Sequence, residues 1–404
     1  MNTRRVVVTG VGAVSPAGLG APALLELLED GRSAVRRQSA LDGLPAAAAP
    51  DPPPDRRTRR LDRAARLFAA AGEEAWRDAG LADRPDDGFR YALIEGSSLG
   101  GMGELLDEHR VYVARDDGRP PSPASVIRFM AGAGGAFLAQ VHGIRGPVFH
   151  LTAGSISGML AIGEAYLKVA TGAVDVALAG GGDCPLQRDI AAAFAASGIL
   201  AHEAGASAPC RPFDRRRTGT VLGEGAGALV LEAEEHARAR GARIHALAGG
   251  WGLACDAGGG GGSMTAPDGD GSGVAAAATA ALEAVGTRAV GWIKAHGTGT
   301  RLGDGAECRG LARVFGPALA DAPLTSLKAA IGHSFGASGA VEAAAAVLAI
   351  ERGVVPPSFG TEEPDPELPP CRVALRAEAI GRATALLLAE SFGGRCAALV
   401  LAAA

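Results

Sequence analysis

The stretch GPVFHLTAGSISGMLAIG, residues 146–163, indicates most clearly how the chain folds. Its first part is apolar and suits a buried strand, which the small residues 152–154 interrupt before Ser155. The apolar residues that follow, from Ile156 to Ala161, have helical spacing. A strand that turns into a helix in this way presents one side chain at the helix N-terminus, where free N–H groups favour developing negative charge. A tight turn without a catalytic role also explains this stretch, so the rest of the chain has to separate the two interpretations.

The composition is that of a folded protein with a large core. The chain has 404 residues, 48% hydrophobic and 21% charged, which is enough for two domains or a duplicated one. Its net charge of −5 gives no reason to expect nucleic acid or a membrane surface as a partner. No apolar run reaches the roughly 20 residues of a membrane span, and no signal-peptide pattern opens the sequence. The six cysteines lack C-x-x-C or zinc-ligand spacing, so we expect a cytoplasmic protein with reduced thiols and no metal site.

Predicted strands and helices alternate in two halves, residues 1–248 and 249–404. The clearest strands are Val6–Thr9, Tyr91–Gly96, Val174–Gly182, Gly227–Glu232 and Val290–Ala295, and the clearest helices are Leu61–Gly80, Val274–Val285 and Ala337–Ile350. The glycine run 258–262 predicts a flexible loop. This order of elements predicts an α/β protein with a duplicated, layered architecture.

A glycine-rich segment, TGVGAVSPAG at residues 9–18, follows the first predicted strand. Its G-x-G-x-x-S pattern partly matches a dinucleotide-binding motif, but the third glycine and the acidic strand end about 20 residues later are missing. We therefore predict a close-packed strand–helix turn here rather than a nucleotide site.

Polar residues suited to catalysis follow three of the predicted strands. They are Ser155; Lys294 and His296 in KAHGTGT, with Asp304 and Glu307 just beyond; and Lys328 with His333. Either histidine alone would more often be a structural residue. Open α/β sheets place their sites at strand ends, however, and a nucleophile with two histidines and a lysine suits acyl chemistry.

The chain resembles the elongating β-ketoacyl-acyl-carrier-protein synthases along nearly its whole length. The motifs that carry the resemblance are VVVTGVGAVSPAG, GPVFHLTAGSISGMLAIGEA, PFDRRRTGTVLGEGAGALVLE, SMTAPDG, IKAHGTGTRLGDGAE, SLKAAIGHSFGASGAVEA and SFGG. The resemblance implies a thiolase fold, a duplicated α-β-α-β-α arrangement. The half spanning residues 1–248 would then carry Ser155, and the half spanning 249–404 would carry His296, Lys328 and His333.

The resemblance also implies roles for individual residues. Ser155 stands where the family carries its nucleophilic cysteine, and His296 and His333 match the paired histidines. Lys328 matches a lysine that orients the second histidine, and Glu342 matches a buried glutamate. Further residues implied are Phe392, as the aromatic gate beside the pocket, and Thr298 and Thr300, whose hydroxyls would line the path of a phosphopantetheine arm.

The sequence departs from the family's pattern at three places. Ser155 replaces the cysteine, and Thr218 replaces an acidic residue of the middle loop. The final loop reads SFGGRC at residues 391–396, so the gate could move differently. A serine hydroxyl is a far weaker acid than a thiol of pKa about 8.5, and a helix dipole worth at most about 2 kcal/mol does not ionise it.

Decarboxylation of a malonyl thioester needs no thiolate, because it requires only hydrogen-bond donors for the developing enolate. The chain also resembles ketosynthase-like proteins of polyketide pathways that carry serine at this position and act as malonyl-carrier decarboxylases. This resemblance implies a ketosynthase-like enzyme of polyketide or fatty-acid biosynthesis that converts malonyl-acyl carrier protein to acetyl-acyl carrier protein. Two alternatives stay open: a Ser155-dependent acyltransferase, cyclase or condensing synthase, and a non-catalytic chain-length-factor partner of a ketosynthase. A structural protein without activity is a further, plainer interpretation.

The resemblance implies an acyl carrier protein as the partner, with the malonyl or acyl thioester on its phosphopantetheine arm and no other cofactor. The apolar residues 129–141 and the turn at Ser155 resemble the family's dimer interface. We therefore expect a homodimer, and a heterodimer with another ketosynthase-like subunit is the alternative.

Overall fold

One mixed sheet runs through the protein, and its strands alternate with helices along the chain. The computed structural model describes residues 3–81, 84–115, 119, 121–202, 208–257 and 263–404. The predicted loop at 258–262 lies outside the described residues. In chain order the main strands are β1 (Val6–Ser15), β2 (Tyr91–Gly96), β3 (Val148–Leu151), β4 (Val176–Asp183), β5 (Gly225–Ala233), β6 (Ala246–Cys255), β7 (Trp292–Lys294), β8 (Pro323–Thr325), β9 (Arg372–Val373), β10 (Thr384–Ser391) and β11 (Arg395–Ala402).

Twelve α-helices are found among the described residues. They are α1 (Ala21–Glu29), α2 (Arg63–Asp78), α3 (Met102–Arg115), α4 (Ser125–Phe129), α5 (Ala133–His142), α6 (Ser157–Ala170), α7 (Arg188–Ala196), α8 (Glu234–Ala239), α9 (Ser272–Val285), α10 (Arg301–Phe315), α11 (Lys328–Ile331) and α12 (Ser338–Arg352). Short strands lie at Gly18–Leu19, Arg36–Arg37, Pro45–Ala47, Leu222–Gly223, Val354–Val355 and Glu378–Ala379. Over the described part of the chain, no helix is both long and apolar enough to cross a membrane.

The strand order of the large sheet shows the duplication directly. The order is β9-β8-β7-β10-β11-β6-β1-β5-β4-β2-β3. In the first half, β1 lies beside β5, followed by β4, β2 and β3. In the second half, β6 lies beside β11, followed by β10, β7 and β8, and the short strand β9 is added at the edge. Each half has two antiparallel pairings next to its first strand and parallel pairings beyond them. The first strands of the two halves, β1 and β6, pair antiparallel and join the halves. The duplicated α/β architecture predicted from the sequence is therefore confirmed.

Helices cover the sheet in layers and bring the two halves' loops together. The helices α6 and α12 contact each other and pack against strands of both halves, so they form the middle layer. On the outer faces, α2 packs on β1 and β5, and α9 packs on β6 and β11. Alanines dominate the buried residues of α12, which lets its backbone approach its neighbours closely. Because α6 begins just after Ser155 and α12 just after His333, this central pair brings together residues from both halves.

The first strand is longer than the sequence predicted. We expected a turn after Thr9, but β1 continues to Ser15. The glycines of this segment make room for α2, since a Cβ atom at Gly10 would lie 2.1 Å from a helix carbonyl oxygen, and one at Gly12 would lie 2.0 Å from another. The close packing that we predicted is present, but it is formed along a strand rather than at a turn.

Candidate active site

A cavity of about 430 Å³ contains most of the residues that the sequence singled out. Its lining includes Ser155, His296, His333, Thr298, Thr300, Thr218 and Phe392. The two other predicted residues, Lys328 and Glu342, are fully buried nearby. Both halves of the chain contribute, and the cavity opens to the surface beside Phe392, which is 42% exposed.

Ser155 lies on a tight turn between β3 and α6. Gly154 has a φ of +65°, a left-handed conformation that glycine adopts without strain. The Ser157 hydroxyl fixes the turn, because it accepts a hydrogen bond from the Ala153 N–H at 2.9 Å and donates one to the Gly154 carbonyl at 2.6 Å. The predicted strand-to-helix turn is therefore present, and it directs the Ser155 side chain into the cavity.

His333 contacts the Ser155 side chain, and His296 lies against His333 in the same cavity. The Ser155 Oγ atom lies 3.1 Å from His333 Nε2. The rings of His296 and His333 are edge to face, with their centroids 5.3 Å apart. The His333 ring also stacks on Phe335 at 4.6 Å, and Phe335 has a φ of +44°, an uncommon value for a bulky side chain. This local strain accompanies an aromatic ring that fixes the plane of His333.

Both histidines are held in the neutral state. Burial lowers the pKa of His296 well below its usual range, and the positive charge of Lys328 lowers it further. Burial and Lys328 lower the pKa of His333 in the same way. A neutral imidazole carries one N–H, so each ring can donate one hydrogen bond. The pocket is therefore suited to stabilising negative charge on a substrate oxygen without a prior protonation step.

Two buried carboxylates hold the loop that carries His296. The backbone N–H groups of His296 and Gly297 donate to Glu307 at 2.6 and 2.8 Å, and that of Gly299 donates to Asp304 at 3.0 Å. Burial raises the pKa of Asp304 to about 7. The sequence placed both acids just beyond the loop without assigning them a role. Their spacing of three residues, one turn apart on α10, was the available signal.

Lys328 lies behind the histidines and contacts the loop that carries His296. Its Nζ atom donates to the carbonyl of His296 at 2.6 Å and to Glu342 at 2.7 Å, with no hydrogen bond to the His333 ring among the described contacts. Its influence on His333 is electrostatic. A second lysine, Lys294, also binds Glu342 and donates to the Leu388 carbonyl at 2.7 Å. One glutamate thus holds two buried lysines behind the histidines.

Two residues beside Phe392 belong to the site but were not among the site residues predicted from the sequence. Ser391 accepts a hydrogen bond from the Ser155 backbone N–H at 2.9 Å, and Glu390 lines the same cavity. Burial and the nearby negative Glu307 and Asp304 raise the pKa of Glu390 well above its usual range. The unusual final loop of the sequence was the signal that pointed here.

Models of known families match most of the chain. Residues 3–237 match the N-terminal domain of β-ketoacyl synthases, and residues 247–362 match their C-terminal domain. A relative from Streptomyces halstedii, named as a polyketide β-ketoacyl synthase 1, is 37% identical over 99% of this chain and 98% of its own length.

Solved structures agree in fold over the whole chain. The structure described as the ishigamide ketosynthase/chain length factor is 32% identical, covers 100% of both chains and has a TM-score of 0.90. The structure of a type II polyketide synthase acyl carrier protein in complex with its ketosynthase bound to the hexaketide also covers 100% of both chains, at 28% identity and a TM-score of 0.89. The predicted thiolase-like ketosynthase fold is thereby confirmed, and the chain belongs to the β-ketoacyl synthase family.

Proposed function

We propose that the protein removes carbon dioxide from a malonyl thioester carried by an acyl carrier protein and leaves the acetyl thioester. The observation that supports this most is the meeting of His296, His333 and the Ser155 hydroxyl in one cavity. The family membership supports acyl thioesters as the substrate class. The complex of a similar ketosynthase with its acyl carrier protein supports the kind of partner.

The proposed reaction needs only hydrogen-bond donors and a proton. The bond between the malonyl carboxylate and the neighbouring carbon breaks, carbon dioxide leaves, and the electron pair forms an enolate on the thioester. His296 and His333 donate their N–H groups to the enolate oxygen, and the enolate carbon then takes up a proton from water. Each such donor typically contributes a factor of about 100 to 1,000 in rate.

Serine at position 155 favours this reaction over condensation. By the family resemblance, this position holds the nucleophilic cysteine. A serine hydroxyl next to neutral histidines stays protonated, because the helix dipole is worth about 2 kcal/mol at most. We infer that Ser155 fills the space of the nucleophile without being acylated, and that the thioester oxygen replaces its hydroxyl as the acceptor of the His333 N–H when the substrate binds.

The arrangement of the two halves fits delivery of the substrate on a long arm. In the proposed division, residues 1–248 supply Ser155 and residues 249–404 supply the histidines. The hydroxyls of Thr298 and Thr300 lie 2.9 Å apart along the cavity and would contact the phosphopantetheine arm. Phe392 at the mouth would act as its gate. The steps above use no metal and no cofactor beyond this arm.

A dimer is part of the proposal, as is a location in the cytoplasm. The strand β3 lies at the end of the sheet, and its Val148 is 41% exposed, so the strand is available to a second subunit. We favour a homodimer. A heterodimer with another ketosynthase-like chain is the alternative, and the description of one similar structure as a ketosynthase/chain length factor supports it.

A serine-dependent acyltransferase, cyclase or condensing synthase is the second candidate. The 3.1 Å contact between Ser155 Oγ and His333 Nε2 favours it, because a neutral imidazole next to a hydroxyl is able to act as its base. A chain-length factor without activity would not need this contact or two buried neutral histidines.

Mass spectrometry separates these functions in one reaction. The purified protein is mixed with malonyl-loaded acyl carrier protein, and the intact masses of both proteins are followed. We expect the carrier to lose the mass of one carbon dioxide while the mass of the protein stays constant. A stable acyl adduct on Ser155 would support the acyltransferase. A carrier mass that falls no faster than in buffer would contradict the decarboxylase, and co-purification with a cysteine-bearing homologue would then support the chain-length factor.

A further inference from the structure

The hydroxyl of Ser391 accepts a hydrogen bond from the backbone N–H group of Ser155. The N–H donates to Ser391 Oγ at 2.9 Å. When a side chain on a tight turn attacks a thioester or ester carbonyl, backbone N–H groups at that turn bind the oxygen that becomes negative. Here the N–H of the residue at the nucleophile position already has a partner from the other half of the chain.

This contact is fixed by the structure on both sides. A Cβ atom at Gly154 would lie 2.1 Å from the Ser391 hydroxyl, so that hydroxyl sits directly against the turn. Ser391 is the last residue of β10 and pairs with Arg395 of β11 across a short turn. The backbone of Ser391 is therefore held by the sheet rather than by a free loop.

We propose that Ser391 determines which reaction the pocket supports. Its hydroxyl accepts the hydrogen bond of the Ser155 backbone N–H, and an acyl-transfer intermediate at position 155 would need that N–H to bind its negative oxygen. The inference rests on the proposed function and extends it. The enolate of decarboxylation is stabilised by His296 and His333, which Ser391 leaves available. A tetrahedral intermediate at residue 155 loses one donor, and the loss of one such donor typically slows acyl transfer by about 100-fold or more.

The step that Ser391 suppresses is a simple group transfer. The side-chain atom of residue 155 forms a bond to the thioester carbon, whose oxygen becomes negative in the intermediate. The carbon–sulfur bond then breaks, and its electron pair leaves with the thiol. That thiol takes the proton that residue 155 gave up, so no oxidant or further reactant is needed.

The proposal is tested with a stronger nucleophile at position 155. Cysteine forms a thiolate far more readily than serine, so S155C makes slow acylation measurable. The probe is acetyl-pantetheine, and the readout is the rate at which the intact protein gains one acetyl group. We expect S155C/S391A to be acylated about 100-fold faster than S155C. Equal rates in the two variants would overturn the proposal.

Two further variants test whether side-chain bulk or misfolding, rather than the hydroxyl, explains the change in rate. S155C/S391T keeps a hydroxyl at position 391 and should be acylated as slowly as S155C. S155C/S391G removes the same hydroxyl and replaces the alanine variant if that variant fails to fold, as judged by thermal unfolding. Faster acylation in S155C/S391T than in S155C would show that bulk rather than the hydroxyl matters, and would also overturn the proposal.

The result is independent of whether the wild-type protein decarboxylates malonyl carrier. A wild-type protein without decarboxylase activity contradicts the proposed function, while the acylation rates still report on Ser391. Equal acylation rates together with active decarboxylation contradict the role of Ser391 and leave the proposed function in place.

Discussion

The Nδ1 atom of His333 lies 2.8 Å from the hydroxyl of Ser338, in the first turn of α12. Ser338 Oγ also accepts the backbone N–H of Ser334 at 3.0 Å. Ser334 Oγ lies 3.3 Å from the same hydroxyl, so the Ser338 hydrogen has two acceptors within reach, Nδ1 and Ser334 Oγ. Donation to Nδ1 places the proton of His333 on Nε2, the atom next to Ser155, and we propose this tautomer for the decarboxylase. That tautomer donates into the cavity, as the decarboxylase requires, whereas a base for Ser155 would need the other one.

We predict that S338A lowers turnover of malonyl carrier by about fivefold, because one hydrogen bond of about 1 kcal/mol no longer fixes the His333 proton. The measurement that separates this from a packing effect is the pair of ¹⁵N chemical shifts of the His333 ring. They should report mainly Nε2–H in the wild type and a mixture in S338A. S338T keeps the hydroxyl and should restore both readouts. Unchanged shifts with full turnover in S338A would contradict this role.

The buried pair of lysines on Glu342 should make this residue essential to stability. We expect E342A to lower the free energy of unfolding by about 3–5 kcal/mol, because it leaves Lys294 and Lys328 buried without their shared carboxylate. Urea unfolding measures the change. E378A removes the partly exposed carboxylate that pairs with Arg372 and is the matched control, with an expected loss below about 1 kcal/mol. E342A and E378A with equal urea midpoints would contradict the prediction.

The raised pKa of Glu390 should appear in the pH profile. A raised pKa keeps this carboxyl neutral until the pH rises through it, after which the side chain is negative. A negative Glu390 in the cavity would repel the carboxylate of a malonyl group. We therefore expect kcat/KM of the wild type to fall on the alkaline side, and E390Q to remove that fall. An alkaline fall of the same midpoint in E390Q would assign it to another group.

The histidines should cause no change in kcat/KM near pH 6.5, which is about the usual pKa of a histidine. The pKa values of His296 and His333 are lowered, so both rings protonate only at clearly more acid pH. We expect no fall in kcat/KM caused by histidine protonation between about pH 7 and about pH 6. A loss of activity with a midpoint near 6.5, abolished in H333N, would show that the ring titrates normally.

Much of the fold and of the site could be predicted because their signals are local. Apolar runs and helical spacing gave the elements around Ser155, and polar residues after the strands pointed to His296 and His333. The contact between Ser155 and Ser391 joins residues 236 positions apart, so it depends on how the two halves pack. The same holds for Lys328, because its hydrogen bond to the carbonyl of His296 joins residues 32 positions apart. Spacing along the chain carries no information of this kind.

The central claim is that the two histidines, and not an acylated serine, perform the reaction. The most direct measurement compares turnover of malonyl-loaded acyl carrier protein by the double variant H296A/H333A and by S155A, with the carrier's intact mass as the readout. We expect the double variant to fall to the rate in buffer and S155A to lose far less. Turnover that persists in the double variant, or that disappears in S155A while the histidines are intact, would contradict it.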